Sequence, residues 1–187
     1  NLGMSVDLGN VNTDDQGKLT QAAINKGSIN ITSGSENIGM VAQKADSSNH
    51  AVATNEKNIK LSNVSKGIGM FSQEGAKIVN KNNAEIEGNT GLSGVVGMVV
   101  NDTTSSGENQ GTISLQGNRV TGVYNNLGTF SMTDGSISTS GEKSITLYAK
   151  DSSNTNSKTK ITKGSIEAKD KALGLFADNA IIQLGGA

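Results

Sequence analysis

The sequence predicts an all-β chain wound as a right-handed parallel β-helix, a solenoid of about six coils with three short strands each. Two repeated signatures and the composition carry that expectation. A small residue, any residue and then Ile recurs at Ile29, Ile59, Ile86, Ile113, Ile137 and Ile166, with spacings of 30, 27, 27, 24 and 29 residues. An apolar–Gly–Met motif, or an aliphatic variant of it, follows each one. Its central residues Met40, Met70, Met98, Val123, Leu147 and Leu175 lie 30, 28, 25, 24 and 28 residues apart. Two series that lengthen and shorten together mark a structural repeat. Gly, Asn, Ser and Thr make up 84 of the 187 residues, which favours turns and strand surfaces over helix.

In chain order, residues 1–25 read as a degenerate leading coil (Leu2-Gly3-Met4, then Lys18-Leu19-Thr20), and residues 26–187 as regular coils of the same single unit. Ile29-Asn30-Ile31, Ile59-Lys60-Leu61 and Ile113-Ser114-Leu115 alternate with period two, so every second residue lies on one face. The Ile column and the Met column should point inward. Asn30, Lys60, Glu87, Ser114, Ser138 and Glu167 should then form an outward column, with Lys60 beside Glu87. A fainter third strand closes some coils, at Ala76–Asn80, Gly128–Met132, Thr159–Thr162 and Ala180–Leu184.

One coil cannot bury its own apolar face, but stacked coils can. At about 4.8 Å per coil the rod is roughly 29 Å long. Antiparallel hairpins would instead show frequent Asn-Gly or Asp-Gly turns; only Asp134-Gly135 occurs, and it opens a repeat. Glycine suits tight corners, and asparagine tolerates left-handed corners and stacks in hydrogen-bonded ladders. Neither end shows a polar cap helix, so the parent protein is expected to be longer. A start at Asn1 rather than Met points to a processed product or an excised fragment.

The iterated motifs resemble the passenger domains of large fusobacterial autotransporter adhesins. The best matches are Gly67-Ile68-Gly69-Met70-Phe71 with Val79-Asn80-Lys81-Asn82, and Lys163-Gly164-Ser165-Ile166 with Ala172-Leu173-Gly174-Leu175-Phe176. The resemblance covers residues 26–184 and depends on structural motifs. It implies type V secretion, display on the cell surface at the outer membrane, and a role in virulence. It also implies adhesion to a host-cell glycan or protein receptor, or to the surface of other bacteria. The fourth and fifth coils depart from the Gly-Met pattern.

Other functions find little support. The formal net charge is −1 and Arg119 is the only arginine, so no basic stripe is present to neutralise a nucleic-acid backbone. Cysteine is absent and His50 is the only histidine, which removes disulfides, thiol catalysis and the usual zinc ligand set. No apolar run reaches the roughly 20 residues that span a bilayer, so direct membrane insertion is not expected. Asp46, Ser47, Ser48 and His50 place triad residue types together, but triads are assembled from distant segments. Glu87 and Glu167 share a face with Lys60 rather than forming an acid pair, so neither an enzyme nor a cofactor is expected. The Asn-x-Ser/Thr sequons at Asn30, Asn63 and Asn101 follow from composition alone.

Two features are candidate binding surfaces. Long polar loops leave one corner in alternate coils, at Gln43 to Asn49, Asn101 to Gln110 and Asp151 to Lys158. Insertions on one face of a solenoid often form its binding surface. Asp102, Thr103, Thr104, Ser152, Asn154 and Asn156 are the candidate side chains there. The second feature is the column one residue after Met: Val41, Phe71, Val99, Tyr124, Tyr148 and Phe176. Strict alternation sends it outward as an apolar and aromatic stripe, with Tyr124 and Tyr148 as candidates for stacking on sugars or a partner protein. A bend at that point would instead fold the rings over a corner or back inside. A stalk without any binding site, a carbohydrate-active enzyme, and self-association through rows of Asn, Ser and Thr stay open as alternatives.

Overall fold

The computed structural model describes residues 2–6, 12–13, 19–44, 49–152 and 158–185. All regular elements among them are β-strands, coiled as a right-handed parallel β-helix with three sheets as its walls. The first sheet stacks Leu2–Val6, Ile38–Ala42, Ile68–Ser72, Val96–Asn101, Thr121–Asn126, Ile145–Lys150 and Leu173–Asp178. The second stacks Leu19–Asn25, Asn49–Asn55, Lys77–Asn80, Ser106–Asn109, Thr129–Met132, Thr159–Ile161 and Ile182–Leu184. The third stacks Ser28–Ile31, Asn58–Ser62, Glu85–Ser93, Thr112–Asn118, Ser136–Ser140 and Ser165–Lys169. The chain visits the three walls in that order on each coil. An antiparallel strand, Asn12–Thr13, pairs with Leu19 and Thr20 at one edge of the second sheet.

Both predicted columns form the core. Ile29, Ile59, Ile86, Ile113, Ile137 and Ile166 pair in register along the third sheet. Met40, Met70, Met98, Val123, Leu147 and Leu175 do so along the first. All are buried except at the rod ends, where Ile29 and Ile166 are half-buried and Leu175 is exposed. The residue before each Met is usually Gly because the coils close tightly there. A Cβ on Gly69 would lie 2.5 Å from the Gly97 carbonyl oxygen and 2.7 Å from Ile86 Cγ2.

The second sheet is more extensive than the sequence suggests. Its inward column runs Ala23, Ala53, Ile78, Gly107, Phe130 and Thr159, so the bulky Phe130 sits between two small neighbours. Beside it, Asn25, Asn55, Asn80 and Asn109 form a buried amide ladder. Each Nδ2 donates to the next Oδ1, at 2.7, 2.9 and 2.9 Å. The last amide, Asn109 Nδ2, donates to the Gly111 carbonyl at 3.0 Å. A buried amide must be paired, and the next coil supplies the pair. Beyond Asn109 the column turns apolar at Met132 and Ile161.

Candidate functional site

The predicted loop edge is shorter than expected. Residues 101–110 are not one loop: Val96–Asn101 and Ser106–Asn109 are strands of the first and second sheets, leaving Asp102–Ser105 as a tight corner. The strand Ser106–Asn109 was hidden because its inward residues are Gly107 and Asn109, which give no apolar alternation. Asp102 has a left-handed φ of 84°, and Lys44, Glu74, Leu127 and Asn179 are likewise left-handed at this corner of other coils.

Asp102 works as a brace. Its Oδ1 accepts the Thr104 amide at 2.9 Å, the Thr104 hydroxyl at 2.7 Å and the Ser105 amide at 3.0 Å. Its Oδ2 accepts the Glu74 amide of the preceding coil at 2.5 Å. Partial burial pushes the Asp102 carboxyl up. The hydrogen bonds from Thr104, Glu74 and Ser105 outweigh that and hold it below the ordinary aspartate value. Thr103 is exposed, and so is Thr104, whose hydroxyl points back to Asp102.

Two coils on, Asp151 is buried and pairs with Lys158 at 3.1 Å, while the exposed Ser152 donates its amide to Asp151 at 2.7 Å. Asn154 and Asn156 lie outside the described residues, as do Asp46, Ser47 and Ser48. The backbone of His50 belongs to the strand Asn49–Asn55.

The aromatic column lies on the outside of the first sheet. Ser5, Val41, Phe71, Val99, Tyr124, Tyr148 and Phe176 pair in strict register, and none belongs to the core cluster. The Tyr124 and Tyr148 ring centroids are 4.7 Å apart at 35°, and those of Tyr148 and Phe176 are 4.9 Å apart at 54°. The Tyr148 hydroxyl donates to Asp178 Oδ2 at 3.2 Å. The three tilted rings follow one another along the rod, and Phe176, on the last strand of the sheet, is exposed. A parallel column of Ile38, Ile68, Val96, Thr121 and Ile145 lies three residues upstream; these side chains are half-buried and also outside the core cluster. Ile38, Val41 and Phe71 together line one shallow depression of this face.

The outer face of the third sheet was not singled out as a binding surface from the sequence. The wall bends where the register shifts between Gly88 and Thr90, and Gly91 adopts φ 62°. Two open depressions lie on this wall. One, of about 380 Å³, is lined by Asn30, Thr32, Lys60, Ser62, Glu87 and Asn89. The other, of about 310 Å³, is lined by Ser114, Gln116, Ser138, Ser140, Lys169 and Asp170. Glu87 pairs in register with Ser114, so the two adjoin on one wall as a trough lined by polar side chains and by Leu61 and Leu115. The predicted Lys60–Glu87 pair is present at 2.8 Å, and Lys169 meets Glu167 at 2.9 Å. The charges along the trough are thus largely matched. The sequence signal was the alternation itself, which marks the outward residues but not the concavity between them.

Among the described residues no group of three or more His, Asp or Glu is placed to hold a metal ion. No helix among them is long and apolar enough to cross a membrane. Compared with known proteins, the chain matches no family model, no curated protein and no solved structure.

Proposed function

We propose that this chain is a surface-exposed adhesin segment of an autotransporter passenger, attaching its cell to host cells or to other bacteria. In this reading the trough of the third sheet is the contact surface. The observation that supports it most is that trough: Asn, Ser, Thr and Gln side chains beside Leu61 and Leu115, with internally matched charges. Such a lining suits a neutral, hydroxyl-rich glycan better than an anionic polymer. The partner is a host-cell glycan or protein receptor, or the surface of another bacterium, met outside the outer membrane. Repeated motifs that resemble fusobacterial adhesins point the same way. A stiff rod holds the surface away from its cell, and many copies strengthen shallow contacts. No catalytic step and no cofactor enter this reading.

A stalk without a binding site is the second reading, and the Asp102 corner favours it. There the Asp102 carboxylate, expected to reach outward, accepts the Glu74 amide and fastens its coil to the preceding one.

The deciding experiment measures binding of the chain to neutral oligosaccharide arrays and to intact host and bacterial cells. Its comparison is the Lys60→Ala/Glu87→Ala variant, which alters an exposed pair. Loss of binding by the variant, with an unchanged circular dichroism spectrum, supports the trough. Equal binding by both removes the trough from the mechanism. Absence of binding by either protein supports the stalk.

A further inference from the structure

The outer wall of the first sheet is an apolar strip on the surface of a polar rod. Two columns, represented by Ile68, Val96 and Ile145 and by Phe71, Val99 and Tyr148, run its whole length without a charged residue. Val41 and Val99 are nearly inaccessible although they lie outside the core cluster, because the strip packs against itself. Contiguous apolar surface of this kind marks an interaction site.

The period of the strip identifies its occupant. Its side chains repeat at the strand spacing of about 4.8 Å. An α-helix laid along it repeats at about 5.4 Å and drifts out of step within a few turns. Another parallel solenoid keeps step along its full length, and the same wall of a second copy has the same period and the same chemistry. The margins do not oppose such contact. Glu36 and Lys66 lie 3.9 Å apart on one side. On the other, Gln73 donates to Gln43 at 3.2 Å and Asn126 to Asn101 at 2.8 Å. Seven strands of about 4.8 Å by five residues of about 3.3 Å give a footprint of roughly 500 Å² per copy. Counted on both partners, that is roughly 1,000 Å², the lower limit of a specific interface.

We propose that two copies of this chain pair face to face through the outer wall of the first sheet, as a weak and reversible dimer. This rests on the solenoid and is independent of the adhesin reading. It also differs from pairing through rows of Asn, Ser and Thr, because the surface used is the apolar one.

The test combines sedimentation equilibrium with cysteine cross-linking, which the absence of native cysteine makes unambiguous. The wild-type weight-average mass should rise from monomer towards dimer with concentration. Ile68→Lys/Tyr124→Lys should hold it at monomer. Leu175→Lys/Leu184→Lys, at the open end of the rod, should leave the rise intact. Val96→Cys lies on the middle strand of the seven. It faces its own counterpart when overlapped copies run antiparallel, and position 99 of the other copy when they run parallel. Alone, or mixed with Val99→Cys, it should form a disulfide dimer under mild oxidation, at least tenfold faster than Ser114→Cys on the third sheet. Cross-linking needs no disruptive substitution and decides the matter should the lysine variant fail to fold. A monomeric wild type at all concentrations, equal cross-linking of the first-sheet and third-sheet cysteine variants, or association abolished only by the end variant overturns the proposal. The last of these outcomes would indicate head-to-tail stacking.

Discussion

The hydroxyls of Thr139 and Thr146 lie 2.7 Å apart inside the solenoid, with both residues buried. They replace residues that other coils fill differently. Thr146 stands where Gly39, Gly69, Gly97 and Gly122 stand, and Thr139 aligns with Leu115. Two departures from the repeat thus satisfy each other.

The pair is unsymmetrical, since Thr146 Oγ1 also reaches the Glu167 carbonyl at 3.2 Å. Thr146→Val should therefore destabilise the chain by about 1–3 kcal/mol, leaving the Thr139 hydroxyl without this partner. Thr139→Val should have the smaller effect. The double variant should be more stable than Thr146→Val alone, because it leaves neither hydroxyl behind. Urea unfolding of the three variants measures the order.

Asn80 is the middle of the amide ladder, accepting from Asn55 and donating to Asn109. Asn80→Ala should cost about 2–4 kcal/mol, combining a small cavity with a buried Asn109 oxygen deprived of this donor. A change in denaturation midpoint corresponding to less than about 1 kcal/mol would mean that the ladder adds little beyond the backbone pairing.

Gly69→Ala should destabilise by about 1–3 kcal/mol, because the new methyl meets a backbone carbonyl and a core isoleucine inside van der Waals contact. Gly174→Ala is the matched control: nothing lies within 4 Å of its Cβ position. Thermal melting should separate the two variants, with Gly174→Ala close to the parent.

The Asp102 carboxyl titrates below its ordinary value in the folded chain. A lowered folded pKa gives stability that is fully present above the ordinary aspartate value of about 3.9. That contribution is lost as pH falls through the lowered folded value. Asp102→Ala should therefore be less stable than the parent at neutral pH, and the gap should narrow in acid. Parallel urea titrations at pH 7 and in strong acid report the difference, and a gap independent of pH would show that the carboxylate charge plays no part.

The sequence revealed the first and third sheets because Ile and Met recur on them among small neighbours. The second was only partly legible. Lys77–Asn80 and Thr129–Met132 carry apolar residues, but the interior side of Asn49–Asn55 is Ala51, Ala53 and Asn55, all buried. A signal was available nonetheless: Asn25, Asn55 and Asn109 each stand four residues ahead of Ile29, Ile59 and Ile113. Concerning the candidate site, spacing located the corner of Asp102 but not the inward turn of its carboxylate, which depends on the Glu74 amide one coil away. The outward course of Phe71, Tyr124 and Tyr148 follows from alternation, whereas the ring contacts of Tyr148 with Tyr124 and Phe176 depend on coil-to-coil register. The first depression lies beside the register shift at Gly88–Thr90, and no local pattern in the sequence announces that shift.

The amide ladder also has a direction. From Asn25 to Asn80 every side chain donates to the next coil towards the same end of the rod, and Asn109 closes the series on the Gly111 carbonyl of its own coil. The amide dipoles are therefore aligned, and each bond polarises the next. Turning one amide over would set two oxygens against each other on one side and two N–H groups on the other. No member can reverse alone, so this part of the interior is a polar thread with two distinguishable ends.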